Sequence, residues 1–125
     1  MAKKLLFIDD QTGVTKVVGL IAQQLGLEFK ALNSSSHATE TFIEYRPDIV
    51  ILDMIMPEKD GIDVLNEILL TGIRSQIIVT SGFSDAYLRL AKGVARFHEF
   101  DQVSVLKKPF RREELLAALT GAAQA

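Results

Sequence analysis

The run Ile49-Val50-Ile51-Leu52 is bulky, mostly β-branched and free of polar alternation. A strand with one wet face alternates apolar and polar residues, so a strand without alternation is buried on both faces. Such a strand needs layers packed above and below its sheet. The rest of the chain supplies them. Leu5-Leu6-Phe7-Ile8 is a second apolar run, ending in Asp9-Asp10, and residues 28–32, 76–80 and 103–107 are three further strand candidates. Between them lie amphipathic stretches. Val14, Val17, Val18, Ile21 and Leu25 recur at helical spacing before Gly26, and Ala38, Phe42 and Tyr45 share a face before Arg46-Pro47. Residues 62–70 close near Gly72, residues 84–100 follow Ser81-Gly82, and residues 111–118 follow Pro109. Ser34-Ser35-Ser36 and Ser84-Asp85 are placed to cap the second and fourth helices. Five strands alternating with five helices predict an α/β fold: a doubly wound, five-stranded parallel sheet flanked by helices on both faces. The Ala-rich tail from Leu115 onward is expected to fray.

The 125 residues suffice for one domain, 1–125, with a core of its own. With 48% hydrophobic and 24% charged residues the chain is of globular rather than disordered type. The absence of cysteine excludes a disulfide scaffold, a thiolate zinc site and a cysteine nucleophile. A net charge of −2 argues against direct nucleic-acid binding, and no apolar run approaches the length of about 18 residues that spans a membrane. The N-terminal apolar run is too short for a signal peptide, so a cytoplasmic location is expected.

Ligands of such sheets gather beyond the carboxyl ends of the strands. The residues there are Asp9 and Asp10, Asp53, Thr80 and Ser81, and Lys107 and Lys108. Each acid alone could serve as a helix cap. Three carboxylates brought to one edge repel, and a hard divalent cation relieves that repulsion. A lysine and a threonine hydroxyl beside them suit the oxygens of a phosphoryl group.

Four segments carry a resemblance along nearly the whole chain: Phe7-Ile8-Asp9-Asp10, the stretch from Asp48 to Gly61 with its Asp53-Met54-Ile55-Met56-Pro57-Glu58-Lys59-Asp60-Gly61 core, Ile78-Val79-Thr80-Ser81-Gly82, and Lys107-Lys108-Pro109-Phe110. The sequence resembles the receiver domain of two-component response regulators, the CheY-like, (βα)5 group. The resemblance implies that Asp53 is the phosphoacceptor. It implies that Asp10, Asp53 and the backbone carbonyl of Ile55 bind Mg²⁺, or Mn²⁺ in its place, with Asp9 acting largely through water. Thr80 is then the switch hydroxyl and Lys108 the phosphoryl-contacting lysine, with a cis Lys108-Pro109 bond. The implied partners are a sensor histidine kinase or histidine phosphotransfer protein, and a downstream protein or a second copy bound through the fourth helix, fifth strand and fifth helix. Output through a partner is expected, unless the chain is part of a longer protein.

Two departures stand out. Val105 occupies the position three before the lysine where the family often carries an aromatic ring; either Thr80 then acts through backbone shifts or another ring, Phe83, Phe97 or Phe100, takes part, with core packing the plainer role for each of them. The interval from Thr80 to Lys108 is also long, and Arg89, Lys92 and Arg96 recur in it at helical spacing. With Val105, Arg111 and Arg112 they form a candidate output surface, against the plainer reading of a solvated face. His37 and His98 are expected at the surface or at helix ends. Three other readings compete. Thr12-Gly13-x-Thr15 resembles a flavodoxin phosphate loop, though Asp9 and Asp10 would repel the phosphate. An aspartyl-phosphate hydrolase of the haloacid-dehalogenase type needs an acid where Gln11 stands. A receiver-like interaction module that works without phosphorylation keeps the fold and drops the chemistry.

Overall fold

The computed structural model describes residues 2–82 and 85–124; Phe83 and the proposed cap Ser84 lie outside them. Strands β1 (Lys4–Ile8), β2 (Glu28–Leu32), β3 (Ile49–Asp53), β4 (Gln76–Ser81) and β5 (Val103–Lys107) alternate with helices α1 (Thr12–Gln24), α2 (Ala38–Tyr45), α3 (Gly61–Leu70), α4 (Asp85–Phe97) and α5 (Arg112–Gln124). All strand pairs are parallel, in the order β2-β1-β3-β4-β5. Order reverses between β1 and β3, so the ends of these two strands open the crevice where such sheets bind ligands.

Every residue of β3 is buried, as its lack of alternation demands. Val50 and Leu52 face a core built with Phe42 of α2, Leu65 and Ile68 of α3, and Leu88 of α4. Ile49 and Ile51 face the other core, with Val18 and Ile21 of α1 and Leu115 and Leu119 of α5. The register puts Asp53 beside Thr80 and Ser81 beside Lys107, so the polar strand ends lie level along one edge.

Three local expectations are corrected. The serines do not cap α2: its N-cap is His37, without a side-chain bond, because Ser35 spends its hydroxyl elsewhere. Helix α4 stops at Phe97 rather than near Phe100; Glu99 takes a left-handed φ of 55°, and the Phe100 amide turns back to the Ala95 carbonyl. Helix α5 runs on to Gln124, well past the expected end near Ala118. Its start is supported by Glu113 and Glu114 in the first turn, and Glu114 accepts the Arg111 amide at 2.8 Å.

Candidate phosphoacceptor site

The strand ends bring Asp9, Asp10 and Asp53 together, each offering one carboxylate oxygen within 4.8 Å of the others. Asp9 and Asp53 are buried, while Asp10 is exposed. The backbone of the turns holds the acids in place: Asp9 Oδ1 accepts the Gln11 amide at 2.9 Å, and Asp53 Oδ1 accepts the Ile55 amide at 3.2 Å. Lys108 reaches in from β5, its Nζ 2.5 Å from Asp9 Oδ2 and 3.1 Å from Asp53 Oδ2. The peptide bond between Lys108 and Pro109 is cis. The two lysines at this strand end part company, for Lys107 turns outward to an exposed ion pair with Asp85.

One ammonium among three carboxylates leaves the cluster short of positive charge. Burial pushes the Asp53 carboxyl above its ordinary range and the Asp9 charge adds to this, while Lys108 and the Ile55 amide pull back; the net direction is up. Burial works against the Lys108 ammonium, but the hydrogen bond to Asp9 and the charges of Asp53 and Asp9 outweigh it and raise its pKa. Thr80 completes the set. Its side chain is fully buried next to Asp53, and its Oγ1 has no partner among the described residues. An unpaired buried hydroxyl is unfavourable, so it marks a place where an acceptor is wanted. A cleft of about 960 Å³ opens over Asp53 and Asp10, walled by Val14, Val17 and Ile55.

An all-oxygen donor set with net negative charge fits a hard divalent cation, and Lys108 with the unpaired Thr80 hydroxyl fits phosphoryl oxygens. The Response regulator receiver domain model matches residues 5–120 of this chain. The chain belongs to this family. As a receiver domain it is a phosphoacceptor module of two-component signalling, a switch rather than a conventional enzyme. Membership sets aside the flavodoxin and dehalogenase readings. Chemotaxis protein CheY of Bacillus subtilis is 29% identical over 120 residues, covering 95% of this chain and 96% of that protein. Regulatory protein AtoC of Escherichia coli is 30% identical over 112 residues, covering 90% of this chain but only 23% of AtoC. The crystal structure of a receiver domain protein from Clostridium thermocellum superposes with a TM-score of 0.79 at 27% identity, covering 98% of this chain and 94% of the other.

The receiver domain's remaining candidates lie outside this cluster. Arg89, Arg96 and Arg111 are exposed, and Val105 is 44% exposed on the edge strand β5. Lys92 is not free for a stripe, since its Nζ donates to the Val103 carbonyl at 2.8 Å. Arg112 leans the other way, donating to Gln24 of α1 at 2.7 Å. Phe97 is 85% exposed and edge-on to His98, and Phe100 packs partly buried against the α2–α4 core. Both histidines sit at helix ends, His37 bonded to Glu40 and His98 to Asn66. No described helix is long and apolar enough to cross a membrane.

Three residues near the site take roles that the sequence did not announce: Gly61 was legible only as part of the motif and Ser35 only as a helix cap. Gly61 packs against the backbone of Met54 and Asp53, Tyr87 donates to Asp60 Oδ2 at 3.3 Å, and Ser35 bonds the backbone of Lys59. Only Gly61 carried a usable signal, a glycine directly after an N-cap aspartate, where a close approach of backbone is one standard cause.

Proposed function

We propose that the domain accepts a phosphoryl group on Asp53 from a phosphohistidine of a sensor histidine kinase or phosphotransfer protein. The observation that carries this is the unpaired buried Thr80 hydroxyl beside a carboxylate that already faces an ammonium. Asp53 needs no general base, because a carboxylate oxygen is nucleophilic once ionised. That oxygen forms the new bond to phosphorus while the histidine N–P bond breaks, and the imidazole departs with the electron pair. Lys108 places its charge where phosphoryl oxygens arrive. Asp10, Asp53 and the Ile55 carbonyl would hold Mg²⁺, or Mn²⁺ in its place, with Asp9 acting largely through water. The bound ion supplies positive charge that offsets the negative charge of the transferring group. Water later attacks the acyl phosphate and resets the switch.

Output leaves through α4, β5 and α5, at whose surface Arg89, Arg96, Val105 and Arg111 are offered to a downstream protein or a second copy. Domain boundaries 1–125 and action in the cytoplasm belong to the same proposal.

Incubation with a small acyl phosphate and Mg²⁺, followed by intact-mass measurement, tests the chemistry. One phosphoryl group should appear with Mg²⁺ and none with chelator. An unmodified chain in both would leave the phosphorylation-independent interaction module as the better account. The metal is tested separately by melting. Mg²⁺ should raise the melting temperature of the wild type, because it binds only the folded cluster, and should fail to raise that of Asp10→Ala.

Thr80→Val keeps the shape and removes the unpaired hydroxyl. It should stabilise the unphosphorylated protein by about 1 kcal/mol, measured by urea denaturation. The same variant should still take up phosphate but lose the change in amide exchange of α4 and β5 on phosphorylation. A destabilised Thr80→Val would mean that the hydroxyl has a partner in the resting state.

A further inference from the structure

Ser35 is the middle serine of three, yet it is the one turned inward, 1% exposed. Its neighbours spend their polar groups on each other, with Ser34 Oγ 2.9 Å from Ser36 Oγ and accepting the Ser36 amide. Ser35 reaches across to the segment between β3 and α3. Its hydroxyl donates to the Lys59 carbonyl at 2.8 Å and accepts from the Lys59 amide at 2.8 Å. A single side chain thus satisfies both backbone groups of one residue, as a paired strand would.

The segment it holds carries one of the proposed ligands of the site, Ile55. Residues 54–60 leave the end of β3 directly after Asp53 and include Ile55, whose amide bonds Asp53. The near limb is anchored where the Met54 amide donates to the Thr80 carbonyl at 2.9 Å. The far limb is anchored at Lys59 by Ser35, and at Asp60, whose carboxylate caps α3 through the Ile62 amide at 3.1 Å. Lys59 also ion-pairs through its side chain with Glu67 of α3, which accepts from Thr39 of α2 at 2.6 Å. The course of the segment between these anchors determines where the Ile55 carbonyl stands relative to the acids.

We infer that Ser35 is a positioning residue for the cation site: by clamping the backbone of Lys59 it holds the β3–α3 segment in the course that presents the Ile55 carbonyl to a divalent cation. The inference rests on the proposed metal reading of Asp9, Asp10, Asp53 and Ile55. Ser35→Ala leaves the part-buried amide and carbonyl of Lys59 without this partner. Groups that orient metal ligands without touching the ion commonly change affinity by one order of magnitude or more when removed.

The test is calorimetric titration of Mg²⁺ into the whole chain, with melting temperatures taken alongside. Ser35→Ala should bind Mg²⁺ about tenfold more weakly than wild type. Thr39→Val is the control, cutting the neighbouring bond to Glu67 without touching the Lys59 backbone. It should lower the melting temperature and leave Mg²⁺ affinity unchanged. Wild-type affinity in Ser35→Ala, or an equal loss in Thr39→Val, would overturn the inference and leave Ser35 a packing residue. Should Ser35→Ala not fold, amide exchange of the wild type decides. The Lys59 amide should then exchange as slowly as those of β3, and a fast Lys59 amide would overturn the clamp. Absence of Mg²⁺ binding by the wild type would instead overturn the metal reading, and this inference with it.

Discussion

Asp53→Asn should abolish phosphorylation and, in metal-free solution, raise the melting temperature. The first effect is all-or-none. The amide nitrogen and oxygen of Asn supply no ionised nucleophile, and Asp9 and Asp10 sit on a different strand end. Intact-mass measurement after incubation with acyl phosphate and Mg²⁺ should show the unmodified chain. A phosphoryl group retained on the variant would assign the chemistry to another residue. The second effect follows from burial. The folded-state pKa of Asp53 is raised above 3.8, so in the window just above that value the native protein binds more protons than the unfolded chain. Stability therefore falls as pH climbs through the window, and the full penalty is present at neutral pH. Asn carries no charge and escapes it, while Lys108 keeps Asp9 as its partner. The difference in melting temperature should shrink as pH falls through this window and be largely gone below 3.8, where the carboxyl is protonated in both the folded and the unfolded chain. A variant that melts lower than wild type at neutral pH in chelator would show that the Lys108 pair outweighs the desolvation. Phosphorylation of the wild type should decline with acidity in the same window, because only the ionised carboxylate attacks.

Gly61→Ala should destabilise the domain by about 3 kcal/mol, the upper end of ordinary overpacking. A Cβ built there overlaps the Met54 Cα and stands 2.5 Å from the Asp53 carbonyl oxygen. Both are backbone atoms in or next to β3, so no side chain can rotate away. The Gly61 amide bonds the Met54 carbonyl at 3.0 Å, which ties α3 to the strand end at the same point. Relief requires α3 to back off from β3, taking the β3–α3 segment with it. Urea denaturation gives the stability loss, and slower phosphorylation of the folded fraction should accompany it. Gly13→Ala serves as a contrast, since nothing lies within 4 Å of a Cβ there. Equal stability of the two variants would mean that the close approach at Gly61 relaxes without cost.

The sheet was legible because its information is local. A run of apolar residues ended by an acid, a hydroxyl or a lysine states both a strand and its terminus, and β1, β3, β4 and β5 lie where those runs stand; β2, an edge strand of sequence Glu-Phe-Lys-Ala-Leu, carries no such signal and is the weaker candidate. Helix ends were less legible. Glu99 adopts a left-handed φ that its residue type does not announce, and the alanines of the tail continue α5 because Leu115 and Leu119 anchor it against β3 and β5. The serine triplet shows the same limit. Caps are read from neighbours in sequence, whereas Ser35 is claimed by a backbone 24 residues away.

The chain alone thus determines which residues stand at the carboxyl edge of the sheet, since strand periodicity and parallel connection leave Asp9, Asp10, Asp53, Thr80 and the two lysines nowhere else. Only tertiary structure decides what each does there. Lys107 and Lys108 are adjacent and alike in sequence; the turn at the end of β5 sends one to water and the other 55 residues back to Asp53. Thr80 is left unpaired among the described residues because β3 and β4 bury it beside an acid whose own oxygens are held by Lys108 and the Ile55 amide. Charge separation, burial and the absence of a hydrogen-bond partner are properties of through-space neighbours, which no run of adjacent residues encodes.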